Sequence, residues 1–180
     1  LDPGKTTILV TGGSQGARRL NELSAQAAAK LPADTQVLHI AGALDFERVS
    51  EIAQGRANHK VLGFCDQMPS AYALADLVIA RSGASSLTEI SIAGHPSILV
   101  PFPYAADDHQ TRNAEVFANA GAAKLVQERD LDAEKLALLE QQVAKCVLRA
   151  PSAGQVLYAN ETGRRSAEVA RLFNDAGIIV

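Results

Sequence analysis

The sequence predicts an α/β fold in which a parallel six-stranded sheet carries helices on both faces. Short apolar runs rich in β-branched residues alternate with helix-like runs along the chain. Parallel strands that are joined by helices need right-handed crossovers, and these crossovers cover both faces of the sheet. The hydrophobic fraction of 47% supplies the core of one domain over all 180 residues. Ligands of such sheets bind beyond the carboxyl ends of the strands, so we expect function in the loops that follow strands.

Each element is predicted from its own local pattern. The predicted strands are 7–11, 36–40, 60–64, 77–80, 97–101 and 123–126. The predicted helices lie near 17–31, 44–54, 67–75, 84–94, 108–120, 132–148 and 161–176. In the first of these helices Leu20, Leu23 and Ala27 recur at helical spacing, which predicts one apolar face.

The composition excludes several classes of protein. The 17 Lys and Arg residues nearly balance the 20 Asp and Glu residues, and only 4% of residues are aromatic, so we expect no nucleic-acid partner. Cys65 and Cys146 are too few for a disulfide scaffold or a structural zinc site and fit a reducing compartment. We find no signal peptide and no apolar run of the about 20 residues that a membrane-spanning helix needs, and therefore expect a cytoplasmic domain.

The first strand runs into a glycine-rich turn, ILVTGGSQGA at 8–17, that opens a helix. Gly12, Gly13 and Gly16 let an anion approach the main chain, and the helix N-terminus offers free N–H groups to a phosphate. Ser14 adds a hydroxyl donor, with Gln15 beside it. The turn lacks the Lys of a Walker loop and the spacing of a dinucleotide fingerprint. A purely structural turn is the alternative.

A second turn of small residues follows the fourth predicted strand. Ser82 and Gly83 precede a helix that begins near Ala84. At 100° per residue Ser85, Ser86 and Glu89 share one helix face, opposite the apolar face of Leu87 and Ile90. This arrangement suits a phosphate at the turn and a ribose diol one helical turn deeper, held by the carboxylate. The alternative is that Ser82 caps the helix and Glu89 is merely solvated.

Polar residues also follow the fifth predicted strand. His109, Gln110 and Asn113 occupy neighbouring positions of one helical turn and offer donors and acceptors suited to sugar hydroxyls. The alternative is a capping box, in which Asp107 is the N-cap and Gln110 its partner. We assign no catalytic role to His109, because the sequence near it offers too few acid or nucleophile partners.

The turn after the third predicted strand is suited to a nucleobase. Its main chain can hydrogen-bond the edge of a uracil near Cys65, while Phe64 or Met68 covers a face of the base. The alternative is that Phe64 is a core residue at the strand end and Met68 packs the next helix. Cys65 is not favoured as a nucleophile, since no His in a suitable context is apparent.

Four ordered motifs, GGSQGA at 12–17, FCDQM at 64–68, RSGASSLTE at 81–89 and DHQTRNA at 108–114, together resemble the C-terminal half of the MurG family. These bacterial enzymes transfer N-acetylglucosamine to a lipid-linked muramyl pentapeptide during peptidoglycan synthesis. The resemblance spans nearly the whole chain. It implies a Rossmann-like domain, the C-terminal domain of a GT-B glycosyltransferase, that binds UDP-GlcNAc without a metal or other cofactor.

The resemblance assigns a part of UDP-GlcNAc to each motif. The diphosphate would meet the loop of Gly12, Gly13, Ser14, Gln15 and Gly16, together with the amides of Ala84, Ser85 and Ser86. Ser82 and Gly83 would also belong to the donor-binding residues. Glu89 would hold the ribose, and Cys65 would read uracil through its backbone beside Phe64 and Met68. The GlcNAc hydroxyls would contact His109, Gln110 and Asn113.

The resemblance also implies what this chain would lack. The chain begins without Met, at Leu1, and we expect a piece of a longer protein whose N-terminal domain holds the undecaprenyl-linked acceptor, the membrane-facing patch and the general base. No catalytic residue is expected here, and the full-length protein would sit peripherally on the inner face of the bacterial plasma membrane, serving cell wall biogenesis, cell shape and cell division. The alternatives are a donor subunit of another GT-B lipid glycosyltransferase, a noncatalytic UDP-sugar sensor and a Rossmann module for NAD.

Overall fold

A computed structural model describes residues 1–13 and 17–143 of the chain. A six-stranded sheet lies at its centre, with the strand order β3-β2-β1-β4-β5-β6 and every pair parallel. The strands are β1 (Thr6–Thr11), β2 (Thr35–Ile40), β3 (His59–Leu62), β4 (Leu77–Ala80), β5 (Ser97–Leu99) and β6 (Ala123–Leu125). The helices are α1 (Arg18–Ala27), α2 (Phe46–Ala53), α3 (Met68–Ala73), α4 (Ala84–Ala93), α5 (His109–Asn119) and α6 (Ala133–Val143).

Both faces of the sheet are covered by helices, as predicted. On one face Leu20 and Leu23 of α1 and Leu136 of α6 pack on the strands, and each is at most 2% exposed. On the other face the core includes Leu87 of α4 and Phe117 of α5. Burying a side chain of this size contributes about 1.5–3 kcal/mol, so the two apolar layers dominate the stability of the fold.

Most element ends differ from the prediction by one or two residues, and three of the differences have a clear local reason. Strand β3 stops at Leu62 rather than 64, because its neighbour β2 ends at Ile40 and the chain turns at Gly42, which has φ 82°. Strand β5 ends before Pro101, which has no N–H to donate. Helix α1 ends at Ala27 and continues as a 3₁₀ turn to Lys30, ahead of a proline that disfavours helix before it. The predicted helix near 161–176, Cys146 and the end of the 132–148 helix lie outside the described residues.

The strand order reverses between β1 and β4. These two strands pair with Thr11 opposite Ala80 at their carboxyl ends, and the helices that follow them, α1 and α4, pack on opposite faces of the sheet. A crevice forms at such a reversal, beyond the carboxyl ends of the strands. The points at which the two predicted phosphate turns begin, directly after β1 and β4, are therefore neighbours.

A chain of buried polar groups runs from α1 to β3. Asp45, which precedes α2, forms an ion pair with Arg18 at 3.3 Å and accepts a hydrogen bond from Nδ2 of Asn21 at 3.1 Å. Oδ1 of Asn21 can only accept, so His39 Nε2 donates to it at 3.1 Å. Nδ1 of His39 then accepts from Nε2 of His59 at 3.3 Å, and the two rings stack 5.5 Å apart.

The imidazoles of His39 and His59 are both held in the neutral form. Burial, with a smaller contribution from His59, lowers the pKa of His39 to about 3. Burial and the nearby charge of Arg56 lower the pKa of His59 to about 4.

In the described part of the chain, no helix has both the length and the apolar character to cross a membrane.

Candidate functional site

The glycine-rich turn begins where β1 ends. The N–H of Gly13 donates to Oγ1 of Thr11 at 3.3 Å, and Gly13 has φ 80°, a left-handed conformation that favours glycine. A Cβ at Gly13 would meet nothing within 4 Å, so the requirement at this position is conformational rather than steric. Helix α1 starts at Arg18, while Ser14, Gln15 and Gly16 lie outside the described residues.

Ser82 fastens the second turn to the rest of the site. Its side chain is fully buried, and its hydroxyl donates to the backbone carbonyl of Gln110 at 2.7 Å. The N-cap of α4 is Gly83, so the hypothesis that Ser82 caps this helix is wrong. The first N–H groups of α4, from Ala84 onward, keep the free donors that a helix N-terminus offers to an anion.

The two faces of α4 are arranged as the sequence predicts. Leu87 and Ile90 are at most 1% exposed, whereas Ser85 and Glu89 are exposed and Ser86 is half-buried. The polar face of α4 therefore runs from the turn of Ser82 and Gly83, the second predicted phosphate turn, to Glu89 one helical turn further along.

Glu89 is not merely solvated. Its Oε2 accepts a hydrogen bond of 3.0 Å from the hydroxyl of Tyr72 on α3, a residue only 5% exposed. This contact holds the carboxylate of Glu89 at one end and leaves Oε1 open to a ligand. The contact between Tyr72 and Glu89 could not be predicted from the sequence, because it depends on how α3 and α4 pack.

The loop after β5 holds a strained turn. Asp107 and Asp108 have φ of 49° and 53°, in the left-handed region that non-glycine residues rarely adopt. Oε1 of Gln110 accepts the N–H of Phe102 at 3.0 Å, so the capping-box hypothesis for Gln110 is wrong. Strained backbone of this kind costs about 1–3 kcal/mol per residue and often marks binding loops.

The three residues predicted to contact the sugar differ in exposure. His109 and Gln110 are half-buried at the start of α5, and Nδ1 of His109 donates to the carbonyl of Ala106 at 2.8 Å. Asn113 is fully buried, and its Nδ2 lies 3.4 Å from the carbonyl of Ser82. The structure thus joins the loops after β4 and β5 through Asn113 and leaves His109 and Gln110 nearer the surface.

The loop after β3 presents an aromatic ring. Phe64 is 78% exposed, so the hypothesis that it is a core residue is wrong. Cys65 and Met68 are partly buried against the core on the α4 side of the sheet. The exposed ring of Phe64 is free to cover a ligand. Met68 instead packs its helix against the core, in agreement with the alternative hypothesis for this residue.

Arg81 lies directly after β4, and no local sequence signal predicts a role for it. It is 7% exposed and donates to the carbonyls of Val100 and Pro101 at 3.1 and 3.0 Å. It also forms an ion pair with Glu128, and its guanidinium lies 5.6 Å from the ring centroid of Phe102. One buried cation thereby connects the loops after β4, β5 and β6 at the carboxyl edge of the sheet.

The described residues contain no cluster of three or more His, Cys, Asp or Glu side chains that could hold a metal ion.

Comparison with known proteins relates this geometry to one family. The model of the glycosyltransferase family 28 C-terminal domain matches residues 7–171. A protein of Solibacter usitatus, UDP-N-acetylglucosamine--N-acetylmuramyl-(pentapeptide) pyrophosphoryl-undecaprenol N-acetylglucosamine transferase, is 39% identical over 166 residues, 90% of this chain and 46% of its own length. A Burkholderia mallei protein of the same name is 49% identical over 141 residues, 74% of this chain and 38% of its own length. The chain thus spans less than half the length of these relatives.

Solved structures agree on the architecture. MurG of Acinetobacter baumannii superposes with a TM-score of 0.72 at 37% identity, covering 79% of this chain and 42% of that one. The calicheamicin glycosyltransferase CalG4 shares the fold, with a TM-score of 0.65 at 18% identity over 97% of this chain and 40% of its own.

Proposed function

Because this chain belongs to the glycosyltransferase family 28 C-terminal domain family, we propose that it is the donor-binding part of a bacterial N-acetylglucosaminyltransferase. The donor is UDP-GlcNAc, and the acceptor is undecaprenyl-diphosphate-muramyl-pentapeptide, in line with the names of its relatives. The observation that carries the proposal is the convergence of two phosphate-type turns at the reversal of strand order, with Glu89 one helical turn deeper.

The diphosphate lies between the loop of Gly12 and Gly13 and the N-terminus of α4. The first N–H groups of α4, those of Ala84, Ser85 and Ser86, point at an anion there, and the helix dipole adds positive potential. Transfer breaks the bond between the anomeric carbon and a diphosphate oxygen, so negative charge grows on UDP. Donors fixed in advance stabilise that charge, and we therefore propose that the reaction needs no metal ion.

The nucleoside and the sugar occupy the flanking loops. Glu89 accepts hydrogen bonds from the ribose hydroxyls, while the backbone of Cys65 reads the uracil edge beneath the exposed ring of Phe64. His109 and Gln110 contact the GlcNAc hydroxyls, and buried Asn113 holds their loop against Ser82.

The remaining functions belong to the part of the protein outside this chain. We propose that this part binds the lipid-linked acceptor, supplies the general base and holds the enzyme on the inner face of the plasma membrane. By this proposal the whole protein acts in peptidoglycan synthesis, and through it in cell shape and cell division.

Calorimetric titration with UDP tests the donor site. Hydrogen bonds to a charged acceptor contribute about 1.5–3 kcal/mol, so Glu89→Gln is expected to lose about 10- to 100-fold in UDP affinity. Glu115→Gln, at an exposed position of α5, is the matched control and should bind UDP as the parent does. Addition of EDTA should leave the UDP affinity of the parent and of both variants unchanged.

Two results would contradict this proposal. One is equal UDP affinity in Glu89→Gln and the parent, which removes the ribose assignment. The other is tighter binding of NAD than of UDP-GlcNAc, which indicates a dinucleotide-binding domain instead.

A further inference from the structure

We propose that Tyr72 is a positioning residue for ribose recognition, because its buried hydroxyl fixes the carboxylate of Glu89. Through this contact the carboxylate is coupled to α3, the helix that follows the loop of Phe64 and Cys65. This inference rests on the proposed function, because it takes Glu89 as the ribose ligand.

The side chain of Tyr72 is buried except where its hydroxyl meets Glu89. Its ring lies in the core beside Leu87 and Ile90 of α4 and is 5% exposed. Its hydroxyl reaches Oε2 of exposed Glu89 at 3.0 Å, and its backbone carbonyl accepts from Nε2 of His95 at 2.7 Å. A buried phenol that ends on an exposed carboxylate holds that carboxylate in place without excluding a ligand.

The contact leaves Glu89 enough acceptor capacity for a diol. An ionised carboxylate has about four lone-pair positions, and the phenol takes one of them. A glutamate on a helix surface otherwise samples many rotamers, which must be given up when a ligand binds. Burial and the proximity of Glu89 raise the pKa of Tyr72 above its usual value, so the phenol stays protonated and remains a donor.

Tyr72 also connects the two halves of a nucleoside site. It lies on α3, whose first residue is Met68, directly after the loop that presents Phe64 and Cys65. A displacement of α3 therefore moves the base-binding loop and the ribose carboxylate together. The ligand class that fits this coupling is a uridine nucleotide with an intact ribose, and Tyr72 favours it over the 2′-deoxy form.

The test is a double-mutant cycle read by calorimetry. Tyr72→Phe removes the hydrogen bond that holds the Glu89 carboxylate but leaves the carboxylate itself, so it is expected to lower UDP affinity by only about threefold to tenfold. The same change in a Glu89→Ala background should have no further effect, and it should affect 2′-deoxy-UDP less than UDP. Tyr104→Phe, which alters an exposed phenol, is the matched control.

A second variant withdraws the carboxylate instead of the phenol. Glu89→Asp keeps the negative charge but shortens the side chain away from Tyr72, so it should lower UDP affinity at least as much as Tyr72→Phe. If Tyr72→Phe fails to fold, Glu89→Asp still tests the proposal. A UDP affinity of Glu89→Asp equal to that of the parent would overturn it.

The remaining outcomes separate the two inferences. Equal losses from Tyr72→Phe with and without Glu89 would show a general effect on the fold, and no loss in the parent background would show that the contact is idle; either overturns the role of Tyr72. Unchanged UDP binding in Glu89→Ala would instead overturn the ribose assignment, and the present inference with it.

Discussion

Acidification is expected to destabilise this chain through two buried imidazoles, those of His39 and His59, which are 0% and 8% exposed. Their pKa values in the folded chain, about 3 and about 4, lie below the ordinary 6.5. The unfolded chain therefore takes up protons on both rings as the pH falls through 6.5, while the folded chain does not. Their contribution to stability is complete above that pH and is lost as the pH falls toward the folded pKa values.

The size of the effect follows from the proton uptake. One pKa unit is worth about 1.36 kcal/mol, so each ring loses about 2 kcal/mol between about pH 7 and about pH 5, and the pair loses about 4 kcal/mol. Glu140 opposes this loss, since burial raises its pKa to about 8 and the folded chain then holds a proton that the unfolded chain lacks at neutral pH. The total pH dependence is therefore smaller than the histidine contribution alone.

The contribution of the two imidazoles can be isolated by urea unfolding at about pH 7 and about pH 5. The parent is compared with a variant that carries both His39→Gln and His59→Gln. Glu140 is present in both chains and cancels in the comparison. The parent should lose about 4 kcal/mol more than the double variant on acidification, and His59→Gln alone should remove about half of that difference. Losses that agree to within about 1 kcal/mol would refute the argument that the rings are held neutral.

Two further predictions concern the loops at the carboxyl edge of the sheet. Arg81→Gln removes the buried cation that pairs with Glu128 and donates to two backbone carbonyls, and it should lower the free energy of unfolding by about 3–5 kcal/mol. Arg18→Gln, at an arginine side chain that is 70% exposed, is the control and should cost about 0–1 kcal/mol. Similar costs in urea unfolding would contradict the role of Arg81 in joining the three loops. Gln110→Ala should weaken binding of UDP-GlcNAc more than binding of UDP in calorimetry, while equal losses together with a lower melting temperature would show that Gln110 acts only as the acceptor for Phe102.

Local patterns were sufficient to predict the sheet and the polar face of α4. Strand runs, helical spacing and glycine turns depend on near neighbours, and the α4 face needs only the 100° rotation per residue. Three other features of the site depend on packing between elements that are distant in the sequence. They are the burial of Ser82, the contact between Tyr72 and Glu89, and the contacts by which Arg81 joins three loops. The left-handed turn at Asp107 and Asp108 could not be predicted, because neither residue is a glycine.

The pairing of β1 with β4 also has a consequence for how the chain folds. The two phosphate-type turns follow strands that are separated in the sequence by β2 and β3, and they become neighbours only when this long-range pairing forms. Contacts between distant segments carry a large loop-closure cost and form slowly. A nascent chain from which β4 has not yet emerged therefore has only half of the proposed diphosphate site. We expect the first binding of UDP during refolding to report the moment at which β1 and β4 pair at the centre of the sheet.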